Sequence, residues 1–314
     1  MKRLSVIAGI LAAAVVAAAL ITPSDAPAFA PGDWRTFVVC RTAKVAAVDP
    51  IVSPNIVPSA HVHTFAGNTR TSEKPGYKRM TALPLASSCE LTRDTAAYWA
   101  PALRDKQTGT LLAPRQWNVY YVNPWKASGM VPFPPNFKAV SDKWEYHSDG
   151  VRIWFDRVCW DGTLNMPSPA EYRAHTRERG SGCPSGFGTL LPKMHYNLHF
   201  GVDVRLDRYE PASAPMMGWH GDIWNTWHQP SFAAIVKACL NPPATVNGQG
   251  CGSLDDGNVA SKLRARGVPL PPITSPTPTP TPSPTPDPAV ENIVNLYNAL
   301  SPEQQAAFRQ RVGI

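Results

Sequence analysis

Trp117-Asn118-Val119-Tyr120-Tyr121-Val122 is a run in which every residue except Asn118 is aromatic or β-branched. Such side chains crowd a helix but stand easily on a pleated ribbon, so the run predicts a strand. Similar runs recur at residues 36–41, 60–65, 151–159 and 194–206, with Pro- and Gly-rich stretches between them. Only residues 232–240 (FAAIVKACL) read as a helix, with Ser231 placed to cap it. Residues 29–268 are therefore expected to form one mainly β domain. It should be β-sandwich-like, with long loops and a few short helices.

The chain has 314 residues, of which 43% are hydrophobic and 17% charged, so it can bury a core and is not disordered as a whole. Proline is frequent, at 34 residues, and ten of these lie in residues 269–288. Residues 274–288 alternate Thr or Ser with Pro, which predicts an extended polyproline II linker of about 45 Å. Residues 289–314 then read as a short helical tail module. Val290, Ile293, Val294, Tyr297 and Leu300 share one helical face, and Ser301-Pro302-Glu303-Gln304 reads as a capping box. These tail helices are expected to fold back on the main domain or fray, or else to pair with a copy of the chain or dock on a partner.

At the other end, Lys2 and Arg3 precede a nearly apolar run over residues 5–21. This is the layout of a secretory signal, with the cut best placed before Phe29. Residues 1–28 are thus read as a signal peptide, and membrane contact would come only through that segment if it stayed uncleaved. Six cysteines follow: Cys40, Cys89, Cys159, Cys183, Cys239 and Cys251. An even number, a secretory route and no CxxC favour disulfides over metal thiolates. Cys239–Cys251 and Cys159–Cys183 are the expected pairs, being close in sequence.

The formal charge of +7 is spread out with no dense Lys/Arg block, so no nucleic-acid motif is supported. A mildly basic balance suits an acidic envelope or polyanionic glycan. No G-x-S-x-G elbow, HExxH, Walker loop or dinucleotide fingerprint is present.

Two clusters carry candidate chemistry. In Ser59-Ala60-His61-Val62-His63-Thr64, a strand would point His61 and His63 to one face, as in metal sites. Two hydrogen-bonded histidines on a polar sheet face would give the same pattern. In Gly218-Trp219-His220-Gly221-Asp222, two glycines let the backbone approach something closely, and Asp222 could orient His220. A tight turn is the plainer reading. His195 and His199 alternate on a further strand and could complete a three-histidine set. Asp161, in Cys159-Trp160-Asp161-Gly162, is a candidate acid or base on a turn. Trp219, Trp224 and Trp227 crowd His220, and exposed aromatic faces stack on sugar rings. His147, His175 and His228 have no supporting context.

As an ordered set, several segments resemble one family. They are Asp49-Pro50-Ile51-Val52, His61-Val62-His63, Gly67, Ser88-Cys89, Tyr98-Trp99-Ala100-Pro101-Ala102-Leu103 and Asn118-Val119-Tyr120-Tyr121. Cys159-Trp160-Asp161-Gly162, Cys183-Pro184, Leu191-Pro192 and Gly218-Trp219-His220-Gly221-Asp222 complete the set. The family is the secreted domain-of-unknown-function family numbered nineteen ninety-six, and the resemblance covers roughly residues 37–240. It implies a single secreted domain and, since some fungal relatives carry a carbohydrate-binding WSC module, leans toward glycans. The positions that match its motifs are His61, His63, Asp161, His220 and Asp222.

The expected function is a secreted glycan-active hydrolase on cell-wall or extracellular polysaccharide. Asp161, His220 and Asp222 would be catalytic, and Trp160, Trp219 and Trp224 would bind substrate. His61, His63 and His220 would hold a single divalent metal. The alternative is a non-catalytic secreted protein that binds a glycan or the cell envelope.

Overall fold

The computed structural model describes residues 34–74, 76–147, 149–241 and 249–274, with Ser301, Gln304 and Gln305. The expected signal peptide lies outside the described residues, as do most of the linker and the tail module. At the predicted capping box, Gln304 N donates to Ser301 Oγ at 3.3 Å and Ser301 N donates back to Gln304 Oε1 at 2.9 Å.

In chain order the strands are β1 (Trp34–Cys40), β2 (Thr42–Ala46), β3 (His63–Gly67), β4 (Ala97–Pro101), β5 (Leu103–Asp105) and β6 (Leu111–Leu112). Next come β7 (Gln116–Asn123), β8 (Lys138–Ser141), β9 (Lys143–His147), β10 (Gly150–Phe155), β11 (Cys159–Trp160) and β12 (Asn165–Met166). The last are β13 (Thr176–Arg177), β14 (Thr189–Leu190), β15 (Lys193–His199), β16 (Tyr209–Pro211), β17 (Gly221–Trp224) and β18 (Gly252–Leu254). Four short α-helices join them, α1 (Tyr77–Met80), α2 (Pro169–His175), α3 (Gln229–Ile235) and α4 (Val259–Arg264), and a π-helical turn (Val236–Leu240) continues α3.

Two six-stranded sheets form a sandwich, so the molecule is mainly β as expected. The first runs β18-β1-β7-β15-β10-β9 and the second β12-β8-β17-β4-β3-β2. Alternation sends Trp117, Val119 and Tyr121 of β7 inward with Tyr196 of β15 and Ile153 of β10, where they meet Tyr98, Ala100 and Ile223 of the second sheet. Polar groups inside this layer find partners. Tyr196 Oη donates to Trp99 O at 2.9 Å, and Trp227 Nε1 donates to Tyr121 Oη at 2.8 Å. Three disulfides close the domain: Cys40–Cys89, Cys159–Cys183 and Cys239–Cys251. Among the described residues no helix is long and apolar enough to cross a membrane.

Several predicted runs are shorter than expected. The 60–65 run begins its strand only at His63, because Ser59 Oγ accepts no ladder bond but donates to His61 O at 2.7 Å and holds a turn there. The 151–159 run breaks after Phe155, where Asp156 turns out to pair with Lys143. The 194–206 run ends at His199, ahead of Gly201 at φ +72°. The helix begins earlier, at Gln229, with His228 as its cap residue. Pro230 fits the first turn, where no N–H is required, and Ser231 instead bonds to His228 Nδ1 at 2.8 Å.

The outer face of the second sheet has its own small core. Phe65, Trp99 and Trp224 pack there with Val48, Ile51 and Met80 from the covering segments. The candidate site lies at the edge of this layer.

Candidate functional site

His63 is the first residue of β3, and His220 directly precedes β17; β4 lies between the two strands. His61 sits on the loop just before β3, and its ring packs on that of His63 with centroids 4.3 Å apart. The Nε2 atoms of His61 and His220 are 3.2 Å apart, and those of His63 and His220 are 3.3 Å apart. The structure therefore brings His220 against two histidines that lie more than 150 residues before it in the chain.

Their orientation follows from backbone carbonyls. His63 Nδ1 donates to Val48 O at 2.9 Å, and His220 Nδ1 donates to Gly218 O at 3.2 Å. A carbonyl can only accept, so both Nδ1 atoms carry the proton and both Nε2 atoms are bare. Two lone pairs thus face each other with no proton between them. Protonation is a poor remedy, because burial opposes the imidazolium form. It holds His63 well below the usual histidine range and pulls His220 down to about 4. Burial also lowers His61, against the opposing charge of Asp49. Converging bare nitrogens that resist protonation are groups that could hold a cation. A tetrahedral ion with nitrogen bonds of 2.0–2.1 Å needs its ligands about 3.3 Å apart, which matches the spacing here.

Two carboxylates border the histidines. Asp222 Oδ2 is 4.0 Å from His220 Nε2, and the residue is fully buried with neither oxygen hydrogen-bonded. Burial, and then the charge of Asp49, push its proton affinity well above the usual carboxylate range. Trp99 faces Asp222 across the β4–β17 pairing, and its buried indole N–H interacts with the Asp49 carboxylate, favouring the charged form against burial. The unsatisfied oxygens of the buried Asp222 carboxylate call for a partner. Asp49 Oδ1 accepts from Ile51 N at 3.2 Å and Val52 N at 3.0 Å, which shapes the covering loop. Sequence reasoning did not single out Asp49 or Trp99 as site residues, although both fall in the family motifs.

The other candidates lie elsewhere. Asp161 does not join the histidines: its Oδ2 is 2.7 Å from His175 Nδ1, its Oδ1 accepts from Thr163 N at 2.9 Å, and it closes the turn after β11. His195 and His199 belong to the first sheet and cannot complete the set. His195 is buried between Tyr120 and Trp154, with ring centroids 4.6 and 4.4 Å away. His199 Nδ1 donates to Asp149 Oδ1 at 2.9 Å. Trp160, Trp219 and Trp224 are also corrected, since all three are buried and none offers a ring face to a sugar. Trp160 Nε1 donates to Thr163 O at 2.7 Å, Trp219 leans on Phe200, and Trp224 Nε1 donates to Asn136 Oδ1 at 2.8 Å. Trp227 is inter-sheet core.

Two further groups of ligand-type residues occur among the described residues. Cys40, Cys89 and Asp94 offer no thiolate, because the cysteines are bonded to each other. His147, Asp149 and His199 form a cluster in which one carboxylate oxygen lies 3.4 and 2.9 Å from the two Nδ1 atoms.

No curated protein and no solved structure matches the chain. Residues 49–152 match the model of a domain of unknown function, DUF1996. That stretch holds Asp49, His61, His63 and Trp99, while His220 and Asp222 reach the site from beyond it. This is the family that the motifs of the chain resemble, and the matched stretch covers about a third of the chain.

Proposed function

We propose that this is a secreted, metal-dependent hydrolase of extracellular or cell-envelope polysaccharide, with His61, His63 and His220 as the metal ligands. One observation carries the reading: three imidazoles converge with Nε2 spacings of 3.2 and 3.3 Å, two of them held by carbonyls in the tautomer that leaves Nε2 bare. A divalent ion held there supplies Lewis-acid polarisation of an oxygen. Asp222 is the base in this reading. Its unpartnered oxygens lie beside His220, one of them 4.0 Å from Nε2, which puts a proton acceptor next to the ligand set. Asp49 offsets charge on His61 and holds the loop over the site. Secretion is supported by the three disulfides and the apolar N-terminal run. The Pro/Thr spacer and basic charge lean toward glycans.

A second reading has one observation in its favour. His63, His220 and Asp222 are buried and only His61 is partly open, and closed sites hold structural ions. The protein would then bind glycan without turnover.

Elemental mass spectrometry on the purified protein tests the first step. One equivalent of a divalent metal, absent from the His61→Ala/His63→Ala variant, is the expected result. No metal in either, after incubation with Zn, Cu, Mn and Ca salts, sinks the metal reading. Asp222→Asn should keep the metal and lose at least a hundredfold in polysaccharide turnover. Bound metal with no turnover of any polysaccharide by the wild type would leave the structural-ion reading.

A further inference from the structure

Trp144 and Tyr146 are the two aromatic side chains classed as exposed among the described residues, at 37% and 44%. They occupy alternate positions of β9, so both project from the same face. Their rings meet edge to face with centroids 5.0 Å apart. β9 is an edge of the first sheet, and its pairing with β10 sets Trp144 against Ile153 and Tyr146 against Val151. Both therefore project to the side on which the second sheet packs, where a core residue would be expected and an exposed ring is unusual.

This pair adjoins the three histidines. Ser141 pairs with Gly221, the neighbour of His220, and the chain then passes through Asp142 into β9. From the other side, a Cβ added to Gly218 would stand 3.7 Å from Trp144 Nε1. Gly218 supplies the carbonyl that holds His220 Nδ1. The segment leading to it carries Met216 and Met217, exposed at 72% and 40%. Large exposed apolar groups gathered beside a polar site mark a contact surface rather than chance exposure.

We propose that Trp144 and Tyr146 form the platform on which sugar rings of a polysaccharide stack beside the histidine site. The chemistry of the occupant follows from the surface. A pyranose presents an apolar, weakly positive C–H face, and the negative ring faces of Trp and Tyr attract it. Its hydroxyl rim needs hydrogen-bonding groups, and Asp142, exposed and paired with Arg173 at 2.6 Å, lies two residues before Trp144. A wholly apolar partner would strip water from that ion pair without hydrogen-bonding it, whereas sugar hydroxyls can replace the water. The inference rests on the glycan half of the functional reading and not on the metal. It replaces the buried Trp160, Trp219 and Trp224 as the aromatic contacts.

Retention of the full chain on microcrystalline cellulose, chitin, insoluble β-1,3-glucan and peptidoglycan sacculi tests it. The wild type should be retained on at least one of the four. Trp144→Ala/Tyr146→Ala should weaken that retention at least tenfold with unchanged metal content and thermal midpoint. Trp144→Phe/Tyr146→Phe, which keeps the ring faces, should recover most of it. His61→Ala/His63→Ala should still be retained, so loss of metal and loss of glycan contact are read separately. Equal retention of the wild type and the double alanine variant overturns the platform. A wild type that ignores all four polysaccharides overturns it too, and would point instead to strand addition at the open edge of β9.

Discussion

The carboxyl of Asp94 is fully buried between the sheets, where Tyr98 Oη lies 2.8 and 3.0 Å from its two oxygens. Tyr98 Oη in turn meets Tyr121 Oη at 2.6 Å. Burial, partly countered by these bonds, raises the Asp94 pKa from 3.8 to about 8. The folded state thus keeps a proton that the unfolded chain releases. Stability from this group is fully present below about pH 4 and is lost as pH rises toward 8. The slope is about 1.4 kcal/mol per pH unit in that window. Asp94→Asn should flatten the fall. Urea unfolding at pH 5 and pH 8 reads it, and an unchanged difference between the two pH values would refute the assignment. Nothing in the Arg93-Asp94-Thr95 run distinguishes this acid from a surface one, because its burial comes from the opposite sheet.

Along an element, pattern and context contribute differently. β7 was readable as a strand because all but Asn118 of residues 117–122 are aromatic or β-branched. The break between β10 and β11 was not, since Asp156-Arg157-Val158 continues a plausible strand pattern. Only its partners, Lys143 for Asp156 and the α2 end for Arg157, take it off the ladder. The glycines around His220 were readable as places of close approach, but what approaches was not. An added Cβ at Gly221 would meet Tyr196 Oη at 2.0 Å and Ile153 Cγ2 at 2.6 Å. That contact sets β17 against the first sheet and so fixes where His220 enters the site. Gly221→Ala is expected to cost about 1–3 kcal/mol through overpacking. Denaturant unfolding should show this as a lower midpoint at constant slope, and a midpoint equal to that of the wild type would exclude the close packing.

For the molecule as a whole, an ion at the three histidines would tie the covering segment 47–63 to β3 and β17. Anything that binds only the folded state stabilises it by mass action. At a hundredfold excess over its dissociation constant, the ion should add about 2.7 kcal/mol. For a chain of this size that raises the thermal midpoint by about 5–10 °C, at about 2–4 °C per kcal/mol. Chelation should reverse the rise, and His61→Ala/His63→Ala should show neither effect. A midpoint indifferent to both metal and chelator would mean that the histidines hold nothing.

Residue order alone was enough for the β character, the two short-range disulfides and the family, because each depends on local spacing or an ordered motif. It was also enough to mark His61, His63 and His220, since paired histidines and a glycine-flanked histidine are unusual in plain turns. Their convergence was decided by tertiary structure, which brings β3 and β17 to either side of β4. The exclusion of His195 and Asp161 came the same way, as did the burial of three tryptophans and the exposure of Trp144 and Tyr146. A strand's two faces have the same local sequence rules. Which face meets the other sheet, and where an edge strand runs past it, is set by pairing across the whole fold.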